Sequence, residues 1–177
     1  MSTPEFDPQA TARGFAESWR RVMTDPRGFF ATMPETGGLQ EPLIFLVICA
    51  ALNALGHALI GVALRPALAA FLWEMVFALL LAVVLVLVAQ NLFDGRAGFE
   101  PTMRVVAYAA APMVFLWLPG LGVLARLYSW YLLVRGLERV DAFDAPRAVL
   151  TVAVGVAVLF VVGLASAGGS WHAFPRG

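Results

Sequence analysis

A chain of 177 residues that is 60% apolar and only 14% charged, with mean hydropathy +0.80, carries too much oily surface for one water-soluble core. Its formal net charge of zero gives no general attraction to nucleic acid. A single cysteine, Cys49, excludes an intrachain disulfide and any cysteine-based metal centre.

Residues 1–41 form the one substantial polar region, a cytoplasmic N-terminal segment with no long apolar core of the signal-peptide kind. Asp7-Pro8 supplies an N-cap with proline at the first helical position. Phe15, Trp19, Val22 and Met23 then fall on one helical face, with Arg13, Glu17, Arg20 and Arg21 around the rest. This pattern predicts an amphipathic interfacial helix over about residues 8–23, lying among headgroups or packed on the cytoplasmic end of a bundle. Asp25-Pro26 repeats the cap ahead of Phe29-Phe30, and residues 33–38 form a turn-rich hinge.

A crossing of the ~30 Å hydrocarbon core takes roughly 20 residues. Residues 42–167 offer five candidates, at 42–64, 67–93, 103–118, 121–137 and 147–167. Arg65-Pro66, the Asp94–Gly98 loop, Pro119-Gly120 and an acidic loop before Arg147 separate them. The third and fourth are short, about 24 and 26 Å by the helical rise, so a re-entrant pair is the alternative to two full crossings. Residues 168–177 are a short external tail. The fold class is therefore all-α, a polytopic transmembrane helical bundle of five spans with an N-terminal amphipathic interfacial helix.

All twelve basic residues are arginines, a choice that a GC-rich genome explains, and their distribution orients the chain. With the N-terminus inside, Arg13, Arg20, Arg21, Arg27, Arg96, Arg104, Arg135, Arg139 and Arg147 are cytoplasmic, against Arg65 and Arg176 outside. The C-terminus then lies outside, in what we expect to be a bacterial inner membrane.

Polar residues inside the spans are costly and so informative. His57 and Glu74 lie equally far from the Arg65-Pro66 turn, about 13 Å, and Arg126 lies about 10 Å from Pro119-Gly120. All three therefore share a layer in the outer half, with Asn53 one turn below His57. His57, Glu74, Arg126 and Asn53 are the candidate binding residues. As a relay they would serve a small transporter or channel; as a Glu74–Arg126 ion pair with polar neighbours they would hold the bundle together, the reading we prefer. Gly56, Gly61, Gly155 and Gly163 are candidate sites of close helix approach, while Tyr128, Trp130 and Tyr131 suit an interfacial aromatic belt. Glu138, Asp141 and Asp144 mix with Arg139 and Arg147 and read as a solvated loop rather than a metal site.

No G-x-S-x-G, H-E-x-x-H or P-loop occurs, so no catalytic residue, metal or cofactor is assigned. Ser129 and His57 as a dyad would sit at different depths, with no glycine frame around the serine.

Trp19-Arg20-Arg21-Val22-Met23-Thr24-Asp25-Pro26-Arg27-Gly28-Phe29-Phe30, with Met33-Pro34, Gly37-Gly38 and Glu41-Pro42-Leu43, resembles the start of bacterial Yip-domain proteins. So do Val106-Ala107-Tyr108-Ala109-Ala110-Ala111-Pro112, Leu118-Pro119-Gly120-Leu121-Gly122 and Tyr128-Ser129-Trp130-Tyr131, in that order. The resemblance implies a five-helix membrane domain with a cytoplasmic N-terminus. Eukaryotic members are linked to Rab GTPases and vesicle traffic; their Asp-Leu-Tyr-Gly-Pro-like run is replaced here by Gly38-Leu39-Gln40-Glu41-Pro42, so that role is not carried over. The expected function is a non-enzymatic membrane scaffold or adaptor. Its partners would be the lipid bilayer and membrane or peripheral proteins met through the N-terminal segment, with homo-oligomers allowed and nucleic acid excluded.

Overall fold

The computed structural model describes residues 11–169, with side chains described over residues 13–164. Every regular element among them is helical: α1 (Thr11–Thr24), α2 (Pro26–Thr32), α3 (Gln40–Leu59), α4 (Leu64–Phe93), α5 (Phe99–Ala109), a 3-10 turn (Ala111–Phe115), α6 (Leu121–Val140) and α7 (Ala145–Gly169). The Asp7-Pro8 helix start and most of the tail expected at residues 168–177 lie outside the described residues. The second cap forms: Asp25 Oδ1 accepts the Gly28 N–H at 3.0 Å, with Pro26 at the first helical position.

Three helices, α3, α4 and α7, are long and apolar enough to cross a membrane. Each exposes large apolar side chains on its outward face, such as Leu55, Leu72, Leu87 and Phe160. In water such surface would drive aggregation; in a bilayer it meets lipid tails. Gly56 and Gly155 are points of close approach, where a β-carbon would run into Trp117 and Leu85 respectively, whereas Gly61 and Gly163 face open space.

The third segment departs from the expectation of one helix over residues 103–118. α5 has 11 residues, about 16 Å of rise, and the chain then tightens into the 3-10 turn. Pro112 causes the break: it has no N–H to give and its ring crowds the preceding turn. Irregular backbone that enters a bilayer is tolerable only inside protein, so a broken segment can be accommodated there only if it is covered. Residues 102–112 are accordingly all buried. α6 packs beside them so closely that a β-carbon on Gly136 would overlap Val105. α6 has 20 residues, but Arg126, Arg135, Glu138 and Arg139 keep it less apolar than the three long helices.

α1 and α2 supply the missing wall. The indole N–H of Trp19 donates to the Ala111 carbonyl at 2.8 Å, where the helix gives way to the 3-10 turn. Tyr128 donates its hydroxyl proton to the Met23 carbonyl at 2.8 Å. Phe15 meets Phe45 at 5.1 Å between ring centroids, and Trp19 meets Phe115 edge-on at 5.9 Å. The apolar face read from the sequence is therefore turned onto the bundle, while Arg13, Glu17 and Arg20 stay exposed. Beneath it, Tyr108 touches Phe29 at 4.8 Å and Phe45 at 5.0 Å, tying α2, α3 and α5 into one aromatic core.

The hinge before α3 is locked as well. Gly37 and Gly38 adopt φ of 126° and 92°, which glycine takes without strain. Arg104, 1% exposed, donates to the Gly38 carbonyl, and Glu100 accepts the Gly38 N–H at 2.7 Å. Arg139 pairs with Glu35 at 2.8 Å. On the same end, Asp141 is buried rather than solvated: its Oδ1 accepts the Ala97 N–H at 2.9 Å, joining the α4–α5 loop to the α6–α7 loop. Burial pushes the Asp141 carboxyl above the usual carboxylate range, and the backbone N–H groups of Ala97 and Arg96 pull the other way.

Candidate intramembrane polar site

α3 and α4 meet as an antiparallel pair across the short turn at residues 60–63, so residues equally far from it come level. Asn53 on α3, 2% exposed, donates from Nδ2 to Glu74 Oε1 on α4 at 2.7 Å. His57, one turn nearer the Gly61 end, is half-buried. Arg126 approaches from α6 closely enough for its charge and that of Glu74 to be coupled. The two make no direct ion pair within 4 Å; the ion pairs among the described residues are Arg104–Glu100, Arg135–Glu138, Arg139–Glu35 and Arg147–Asp144. Glu74 and Arg126 instead flank an open space.

That space has two adjoining parts with shared walls. A vestibule of about 620 Å³ is lined by all four polar residues with Trp73, Trp130 and the Leu118-Pro119-Gly120 turn. A second cavity of about 220 Å³ shares Trp73, Glu74, Arg126 and Trp130 with it, then continues between Leu46, Leu81, Leu133 and Val156. Three buried polar atoms of these walls have no hydrogen-bond partner: Asn53 Oδ1, Glu74 Oε2 and Ser129 Oγ. Buried polar atoms are normally satisfied, so these three mark a site with unused capacity.

Ser129 belongs to the apolar cavity and His57 to the vestibule, and the serine hydroxyl has no base beside it. Among the described residues, no three His, Cys, Asp or Glu side chains converge as metal ligands. By sequence alone Ser129 lacks a partner for a dyad and Trp130 suits an aromatic belt. The signal that would have found them is positional: Ser129 and Trp130 follow Arg126 by about one turn on α6, and Trp73 adjoins Glu74.

The family model described as the Yip1 domain matches residues 20–167. No curated protein and no solved structure matches the chain.

Proposed function

Because the chain belongs to the Yip1 domain family, we propose that it is a non-enzymatic multi-pass membrane protein that organises partners or lipids, acting as a scaffold or adaptor. The observation that carries this reading is the docked N-terminal segment. α1 and α2 are held on the bundle through Trp19, Phe15 and Phe29, yet α1 presents Arg13, Glu17 and Arg20 outward. A charged helix fixed at a membrane surface is a platform for peripheral proteins or headgroups, and it needs no chemistry to act.

In this proposal five segments enter the bilayer of a bacterial inner membrane, with the N-terminus cytoplasmic and the C-terminus outside. α5 and α6 leave from one face and return to it, so the sides of both termini hold however far the Pro119-Gly120 tip emerges. The arginine bias supports that orientation. Transport is less favoured, because the inner cavity closes on apolar Leu81, Leu133 and Val156 rather than continuing as a polar path.

The test is the double change Phe15→Ser with Trp19→Ser in the full chain. Each of these half-buried aromatics contributes roughly 1.5–3 kcal/mol at most, so their loss should speed tryptic cleavage at Arg20 and Arg21 by about tenfold or more. α3 to α7 should stay folded, and proteins captured by proximity labelling of the wild type in native membranes should be lost. An unchanged set of captured proteins alongside faster cleavage would refute the platform.

A further inference from the structure

The two adjoining cavities are arranged as an amphiphile is. On each of three helices the polar wall residue has an apolar partner seven positions away: Asn53 with Leu46, Glu74 with Leu81, Arg126 with Leu133. Seven residues are about 10 Å of helical rise. On α3 the partner precedes and on α4 and α6 it follows, so all three apolar residues lie away from the turns at Gly61 and Gly120. The site is therefore polar toward one membrane face and apolar toward the bilayer interior.

The polar half carries both signs of charge, held apart. Glu74 Oε2 and Asn53 Oδ1 are buried acceptors in want of a donor, and Arg126 is a fixed cation with no carboxylate in direct contact. A primary ammonium carries three donors and no acceptor, which suits the two free oxygens. A phosphate suits the guanidinium in a two-pronged contact. Trp73 and Trp130, shared by both cavities and partly exposed, stand where the ligand would enter from the lipid. Ligand pockets commonly span a few hundred cubic ångströms with a few placed polar groups, the scale of these two spaces.

We propose that this cleft binds one phosphoethanolamine lipid: the ammonium between Asn53 and Glu74, the phosphate on Arg126, and the start of an acyl chain in the Leu81 and Leu133 cavity. The Ser129 hydroxyl, 2% exposed and unpartnered, is within the same walls and available to the headgroup linkage. Headgroup selection follows from donor count. Methylating the ammonium keeps its charge but removes its N–H groups one at a time: the first methylation still leaves a donor for each of Glu74 Oε2 and Asn53 Oδ1, the second leaves one between them, and the third leaves none.

The experiment needs no variant at first. The full-length protein is exchanged into mixed micelles containing dioleoyl phosphatidylethanolamine, its N-methyl and N,N-dimethyl forms, phosphatidylcholine or phosphatidylglycerol, and retained lipid is counted by native mass spectrometry. The expected result is one retained phosphatidylethanolamine, with little change at the first methylation, weaker binding at the second, and a loss of about tenfold or more at phosphatidylcholine. Glu74→Gln should abolish that discrimination, and Ser129→Ala, a milder change, should weaken retention without erasing it. Equal retention of phosphatidylcholine overturns the headgroup assignment, preferential phosphatidylglycerol overturns it in favour of a purely anionic ligand, and retention no better than the micelle average overturns the site itself. The platform role of α1 stands or falls separately, since none of these outcomes involves Phe15 or Trp19.

Discussion

Tyr108→Ala is expected to destabilise the folded protein by about 3–5 kcal/mol, the range for removing a large aromatic from a packed core. Tyr108 is 0% exposed and its ring touches both Phe29 and Phe45. Truncation would leave a void where α2, α3 and α5 meet, and the neighbours cannot readily collapse into it because residues 102–112 are all packed in the interior. Tyr108→Phe keeps the ring and should cost much less. Leu72→Ala, on the lipid-facing side of α4, should cost little, because its side chain meets lipid tails before and after folding. Denaturation in detergent, followed by near-ultraviolet circular dichroism, ranks the three variants. A loss for Leu72→Ala as large as that for Tyr108→Ala would show that the aromatic cluster is not the centre of the packing.

Glu74→Gln is the second large effect. Glutamine can still accept from Asn53, but the charge that strengthens this 2.7 Å bond disappears. Hydrogen bonds to charged groups contribute about 1.5–3 kcal/mol, and Arg126 would also lose the one carboxylate coupled to it. Adding Arg126→Gln should restore part of the loss, since the remaining cation is then gone. Thermal stability of the single and double variants in one detergent measures the coupling directly. If the single variant is as stable as the wild type, the Glu74 charge contributes nothing to holding α3, α4 and α6 together.

The helical class, the membrane character and the three long apolar helices were legible in the sequence because hydropathy over twenty residues is a strong signal. The levels of Asn53, Glu74 and Arg126 could be counted from the turns, since the helical rise is constant. Local pattern did not reveal which apolar stretches face protein instead of lipid. Residues 103–118 look like a span by composition, yet Pro112 divides them and α1 covers them, a tertiary effect that hydropathy cannot register. Charge was misleading for a similar reason: Asp141 reads as a solvated loop residue and Arg104 as a cytoplasmic arginine, yet they are 4% and 1% exposed, each bonded to backbone brought in from a distant loop. The direct Glu74–Arg126 pair expected from level alone does not form, because equal height on two helices does not fix the distance between them.

The central claim is a membrane bundle in which α5 and α6 leave one face and return to it, below an N-terminal segment on that same face. Single cysteines placed in a Cys49→Ala background at Glu35, Arg96, Asp144 and Ala63, all exposed, test it in intact cells and in inverted membrane vesicles. Positions 35, 96 and 144 should label with a membrane-impermeant maleimide only from the cytoplasmic side, and position 63 only from outside. Labelling of positions 96 and 144 from opposite faces would contradict the account, because α5 and α6 could not then be a hairpin.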